Sequence, residues 1–262
     1  MKKTLQQNLN VINALIYRDY RIRFNNSKFS FIGILLNPVG QVIIFILIYV
    51  FIRLRTNPYM DASLFLTIGV VQYGLFNEIG IRSQNIINIF TALFNYRLIE
   101  PIHLLISRFV VGVALQLLIL IIILQSIFFI KGEIILENLP LLAISFLSVS
   151  FYSFGIGTIL LILDYKKKFL SEKVIPLFFR PYFLTSGVIF SLYAIPQKFH
   201  KFLTWNPILQ ANELSRHALT QDYLLFDGIS LSYLIISSIS VLSVGIIFYS
   251  LNYKDLKSND IY

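Results

Sequence analysis

Cysteine is absent from the chain, which excludes disulfides and thiolate-held metals. Charge is scarce as well. Only 13% of the 262 residues are charged, against about 25% in soluble domains. Histidine occurs three times, at His103, His200 and His217, without any paired-ligand spacing, so no metal site is expected. No GxxxxGK[ST] phosphate loop occurs, so the chain is not expected to bind and hydrolyse ATP itself. HExxH, GxSxG and DxD are missing too, and no acid/base pair converges in sequence, so an enzyme is not expected. There is no internal repeat, no low-complexity linker and no polar stretch long enough for a soluble domain.

Apolar residues make up 56% of the chain, the composition of a polytopic membrane protein. Six runs are long enough to cross about 30 Å of hydrocarbon as helices: Phe31–Ile52, Ala62–Ile81, Phe109–Ile130, Leu139–Leu163, Val174–Ile195 and Ile229–Leu251. Their lack of alternation excludes barrel strands. Before them, Leu5, Leu9, Ile12, Ile16 and Tyr20 recur at helical spacing with Arg18 and Arg21 elsewhere on the wheel. That pattern predicts a basic amphipathic helix lying in the membrane interface. Lys2-Lys3 leads into Gln-, Asn- and Arg-rich sequence, so no cleavable leader is expected.

Net charge is +9. With the N terminus inside, fifteen of the 22 lysines and arginines fall in inner segments and six in outer ones, so both termini are expected in the cytoplasm. Since the basic residues sit where topology places them, nucleic-acid binding is not expected. Within the spans, Glu78 lies four residues before Arg82, the favourable order for a helical ion pair. Arg108, at the start of the third span, reads as a snorkelling residue. Arg180 lies six residues into the fifth span beside Pro181, which cannot donate a helical hydrogen bond. Two readings stay open for Arg180: snorkelling to the headgroups, or lining a water-filled pathway. The chain holds 15 Tyr and 24 Phe, most of them read as packing or interfacial belts. Tyr49, Tyr73, Tyr182 and Tyr193 could instead line a route for a hydroxylated substrate.

Two segments are apolar on one face and too short to cross. Ile86, Ile89, Phe90, Leu93 and Phe94 form a stripe between spans two and three, ended by Asn95, Tyr96, Arg97 and Pro101. Such a stripe lies on the membrane or docks in a partner's groove. On the outer side, Asn206 is a good N-cap and Pro207 suits the first helical position. The helix that follows, to about Gln221, rises only about 20 Å. With Lys198–Trp205 it predicts a hairpin dipping into the outer leaflet or lying on it.

The order of amphipathic helix, six spans, cytoplasmic docking helix and outer hairpin resembles the permease subunits of ABC-2 type exporters. Leu93-Phe94-Asn95-Tyr96-Arg97 with Pro101-Ile102 narrows the resemblance to the capsular polysaccharide export permeases. So do Arg180-Pro181, Ile195-Pro196, Leu203-Thr204-Trp205-Asn206-Pro207 and Glu213-Leu214-Ser215-Arg216. Asn37-Pro38 and Gln72-Tyr73 depart from the family pattern. The resemblance implies one all-α transmembrane domain over residues 1–262. Within it, 1–28 is the interfacial helix, 82–103 the coupling loop and 196–228 a periplasmic gate hairpin, re-entrant or interfacial, between helices five and six.

It further implies a homodimer in the bacterial inner membrane that exports lipid-linked capsular polysaccharide. A separate cytoplasmic ATPase would bind ATP and magnesium, the chain itself needing no cofactor. Periplasmic co-polymerase and outer-membrane export proteins would continue the route. Coupling to the ATPase is assigned to Ile86, Ile89, Phe90, Leu93, Phe94, Asn95, Tyr96 and Arg97. The pathway is assigned to Arg180 and the four tyrosines, and the gate to Trp205, Asn206, Pro207, Glu213 and Arg216. O-antigen or teichoic acid export is the alternative cargo. A membrane enzyme of lipid-linked sugar assembly would have to use Glu78, Glu100 and Asp164, which no motif pairs.

Overall fold

The computed structural model describes residues 2–24, 30–52, 60–89, 99–132, 136–167, 173, 175–220 and 222–258, and every regular element among them is a helix. Among the described residues, four helical stretches are long and apolar enough to cross a membrane: Ala62–Gln84, Pro101–Lys131, Leu139–Lys166 and Leu231–Tyr253.

Helix α1 spans Lys2–Phe24. It turns Leu15 into a cluster with Ile86, Leu104, Leu105, Leu161 and Tyr249, while Leu9, Tyr17, Tyr20 and Ile22 stay exposed. The expected stripe is therefore not the docking face, since α1 meets the protein through Leu15, outside that stripe, and leaves Leu9 and Tyr20 exposed. Helix α2, Ser30–Ile52, contains Pro38. Helix α3, Ala62–Leu75, starts at Asp61, whose carboxylate accepts from the Ser63 backbone N–H at 3.0 Å. It runs on without a break through a π-helical segment, Phe76–Gly80, and a 3₁₀ segment, Ile81–Asn85, into α4, Ile86–Ile89.

Helix α5, Pro101–Lys131, starts eight residues before the predicted span, with Pro101 in its first turn. Residues 101–103 thus belong to this helix and not to a coupling loop. Gly132, at φ 79°, closes it, donating its N–H to the Phe128 carbonyl. Helix α6 is Leu139–Lys166, capped by Asn138, and α10 is Leu231–Ser258. These two cross closely because glycine allows it. A Cβ on Gly155 would sit 2.7 Å from the Val241 backbone, and one on Gly245 2.7 Å from the Gly155 carbonyl. The Asp61 carboxylate pairs with Lys131 at one end of the bundle. At the other end the Tyr253 hydroxyl donates to Glu100 at 2.6 Å.

The fifth run departs from expectation. Helix α7 covers only Ile175–Thr185, eleven residues rising about 16 Å, too short to cross alone. Two local features end it. Ser186 caps the last turn, its hydroxyl donating to the Tyr182 carbonyl at 2.6 Å, and Gly187 takes φ 65°. The chain continues through turns and 3₁₀ segments at Leu192–Ala194 and Gln197–Phe199 to α8, His200–Leu203. Val188 and Leu192 are fully buried in this stretch. Gly69 on α3 makes room, for a Cβ there would lie 2.8 Å from the Val188 carbonyl oxygen. The apolarity of the run beyond Thr185 thus comes partly from packing against protein.

Candidate functional site

Helix α9, Pro207–Leu219, begins as its sequence dictates, with the Asn206 side chain accepting from the Ile208 N–H at 2.9 Å and Pro207 in the first turn. It does not lie on a leaflet. All of its residues but His217 are buried, packed among α3, α6 and α10. A helix this polar can be enclosed only if most of its buried groups find partners. Asn212 donates to the Ser186 carbonyl at 2.7 Å, and Ser215 accepts from Gln72 of α3 at 2.9 Å. Gln210 donates to the Thr204 and Gly228 carbonyls and accepts from the Ser230 N–H.

At its centre, Arg216 pairs with Glu213 at 3.0 Å, both side chains being wholly enclosed. The same guanidinium donates to the Gly187 carbonyl at 2.7 Å and the Phe65 carbonyl at 3.3 Å, and its carbon lies 3.4 Å from the Phe65 ring centroid. Tyr223 donates to the second Glu213 oxygen at 2.8 Å. Burial raises the Glu213 carboxyl above its ordinary range, against the opposing pull of Arg216 and Tyr223. Arg216 thereby locks α9 to α3 and to the turn after α7. Trp205 behaves differently: it is 79% exposed, beside exposed Phe199 and Phe202.

The other predicted residues are scattered. Arg180 is exposed on α7, on a face it shares with exposed Leu177 and Leu184. Tyr73 and Tyr182 are turned into the protein. Tyr73 donates to the Phe179 carbonyl at 3.2 Å, and the Tyr182 hydroxyl meets that of Tyr152 at 3.0 Å. Their rings pack with Phe76 and Phe179, so they knit α3, α6 and α7 together, and their hydroxyls are already engaged. Tyr193 donates to the Leu224 carbonyl and packs edge-on to Phe226 at 4.2 Å. The Tyr49 side chain lies outside the described residues.

In the coupling stretch, Ile86 is 1% exposed and anchors α4 in the core beside Leu15 and Leu104, so it presents nothing to a partner. Ile89 ends α4; Phe90, Leu93, Phe94, Asn95, Tyr96 and Arg97 lie outside the described residues. Just before this stretch a charge cluster forms. Arg82 meets one oxygen of Glu78 at 2.7 Å, the pair that sequence spacing predicts. Arg23 of α1 meets the other at 2.5 Å and also pairs with Asp19 at 3.3 Å. Arg108 donates to the Arg82 carbonyl, so this buried arginine is tied to the backbone of the 3₁₀ segment. Nothing in the sequence marks Arg23 as a partner of Glu78, since that contact depends on where α1 docks.

No family model matches the chain. Two polysialic acid transport proteins KpsM of Escherichia coli are similar to it. One is 30% identical over 240 residues, covering 91% of this chain and 92% of that protein. The other is 29% identical over the same shares.

Proposed function

We propose that this chain, which belongs to the KpsM family of ABC-2 type capsular polysaccharide export permeases, is the membrane subunit of an ABC transporter that carries capsular polysaccharide across the inner membrane. The observation that carries this reading is the likeness to polysialic acid transport proteins over nine-tenths of both chains. The long apolar helices agree with a multi-pass inner-membrane protein. Both termini face the cytoplasm, in keeping with the excess of lysine and arginine in the segments assigned to that side. The chain crosses six times, with α7 and the buried segment after it forming the fifth crossing together.

Two copies pair, and a separate ATPase that holds ATP and magnesium docks at Ile89–Arg97. Periplasmic and outer-membrane export proteins receive the polymer. The continuity of α4 with α3 supports a mechanical role for this docking. Displacement of the coupling stretch passes along α3 to Phe65, whose carbonyl Arg216 holds, and so to α9. Helix α9 with Trp205 then acts as the gate at the periplasmic side. Arg180, exposed on α7, contacts the passing polymer at the face between the two copies.

Deleting the gene should leave polysaccharide inside the cell, read by anti-capsule antibody on intact against permeabilised cells. Normal surface capsule in the deletion strain would refute the reading.

A further inference from the structure

The five-residue 3₁₀ run Ile81–Asn85 sits inside a continuous helix, between the π segment and α4. Runs longer than three or four residues are uncommon because their hydrogen bonds are poorer, so something must hold this one. Local sequence offers little. Ile81 to Asn85 contains neither glycine nor proline, and the Ser83 hydroxyl bond to the Ile79 carbonyl at 2.6 Å is one that ordinary α-helices also make.

Packing offers more, because α1 meets the irregular stretch at both of its ends. Arg23 pairs with Glu78 at 2.5 Å. Eight residues earlier, Leu15 shares a buried cluster with Ile86, itself eight residues after Glu78. Helix α1 thus runs antiparallel to the stretch over about 12 Å, at 1.5 Å per residue. Between these ends, Asp19 pairs with Arg23 at 3.3 Å and lines a small cavity with Arg108, which donates to the Arg82 carbonyl. Asp19 and Glu78 therefore face Arg23, Arg82 and Arg108 where α1, α3 and α5 meet. A regular helix pinned at both ends of an irregular one sets its length. Returning residues 81–85 to α pitch would carry Ile86 off Leu15 while Glu78 stayed on Arg23.

We propose that α1 is a brace that holds residues 76–85 in their π and 3₁₀ form, with Arg23 the positioning residue at one end and Leu15 the anchor at the other. Resting on the export reading above, the coupling stretch moves against this brace, and transport depends on it.

Amide hydrogen exchange on the full chain in lipid nanodiscs, without the ATPase, reads the brace directly, with residues 139–166 as the folded control. Arg23→Met should speed exchange over residues 78–86 about tenfold, the effect of losing one charge-assisted hydrogen bond, and Arg23→Lys should restore it. Arg82→Met takes the other cation from Glu78 but cuts no tie to α1, so it should speed exchange only about twofold. Equal effects of the two methionine variants, or faster exchange on α1 alone in Arg23→Met, overturns the brace. In cells holding wild-type levels of the chain and of co-purified ATPase, Arg23→Met should lose most surface capsule and Arg23→Lys should keep it. Full surface capsule in Arg23→Met overturns the link to transport. The exchange result is read without ATPase or cargo, so it stands or falls apart from the export reading, which the deletion strain decides.

Discussion

Arg216→Met should damage this protein through the carboxylate it leaves behind. The guanidinium is fully enclosed and supplies Glu213 with its only cation within ion-pair distance among the described residues. Methionine fills similar space but brings no charge. An unpaired buried carboxylate escapes its burial cost by taking up a proton. For a group of ordinary pKa about 4.3, that uptake costs about 3.7 kcal/mol at pH 7, at 1.36 kcal/mol per unit. This agrees with the roughly 3–5 kcal/mol found when one member of a buried pair is removed. It corresponds to a fall in Tm of about 7–15 °C for a chain of this size.

The sign with pH follows from linkage. In the variant the folded-state carboxyl titrates well above the unfolded one, so the folded state binds more protons. Stability should then rise as pH is lowered from 7 towards 5, by about 1.4 kcal/mol per unit. The double variant R216M/E213Q has no carboxyl to titrate. It should be flat over that range and less impaired at pH 7 than R216M. Thermal unfolding of the detergent-purified protein at pH 7, 6 and 5 reads both effects. A pH-independent loss in R216M, or additive losses in the double variant, would refute the reasoning.

Gly155→Leu should break the α6–α10 crossing, where even a Cβ meets backbone at 2.7 Å; a loss of over about 3 kcal/mol is expected, read as failure to purify as a monodisperse species. Asp61→Asn should keep the α3 cap but lose the Lys131 pair, costing under about 1 kcal/mol, while Asp61→Ala loses both and costs about 1–2 kcal/mol in the same unfolding assay. Burial opposes it, but hydrogen bonds from Lys131 and Ser63 hold the Asp61 carboxyl below its ordinary value. Its contribution is therefore full above the ordinary carboxylate pKa and fades as pH falls through the lowered one, so D61N should show less acid sensitivity below about pH 4. Arg97→Glu should abolish co-purification of the ATPase while leaving Tm unchanged; retained co-purification would remove the coupling assignment.

What the sequence conveys best here is local. The Asn206–Pro207 helix start and the Glu78–Arg82 pair were legible because their partners lie within four residues. Helices α2, α6 and α10 also match their predicted runs, because long apolar stretches leave a chain few alternatives in lipid. Hydropathy failed where protein replaces lipid as the surroundings. Val188 and Leu192 read as part of one continuous helix because they are apolar, yet both are buried outside any α-helix, Val188 against Gly69. Helix α9 read as interfacial because it is apolar on one face and too short to cross, yet it is enclosed by protein, with most of its polar groups partnered from within. The Arg216 acceptors lie 29 and 151 residues away in the chain, a separation that no periodicity encodes.

The π and 3₁₀ segments between Phe76 and Asn85 give α3 the properties of a screw thread with two pitches. A 3₁₀ turn advances about 2.0 Å per residue at three residues per turn, an α turn about 1.5 Å at 3.6. Rewinding the five residues Ile81–Asn85 to α geometry would retract α4 by about 2.5 Å and rotate it by roughly 100° about the helix axis. A modest axial push on the coupling stretch can therefore emerge as a large twist, with Arg108, bonded to the Arg82 carbonyl, as the catch that must slip first.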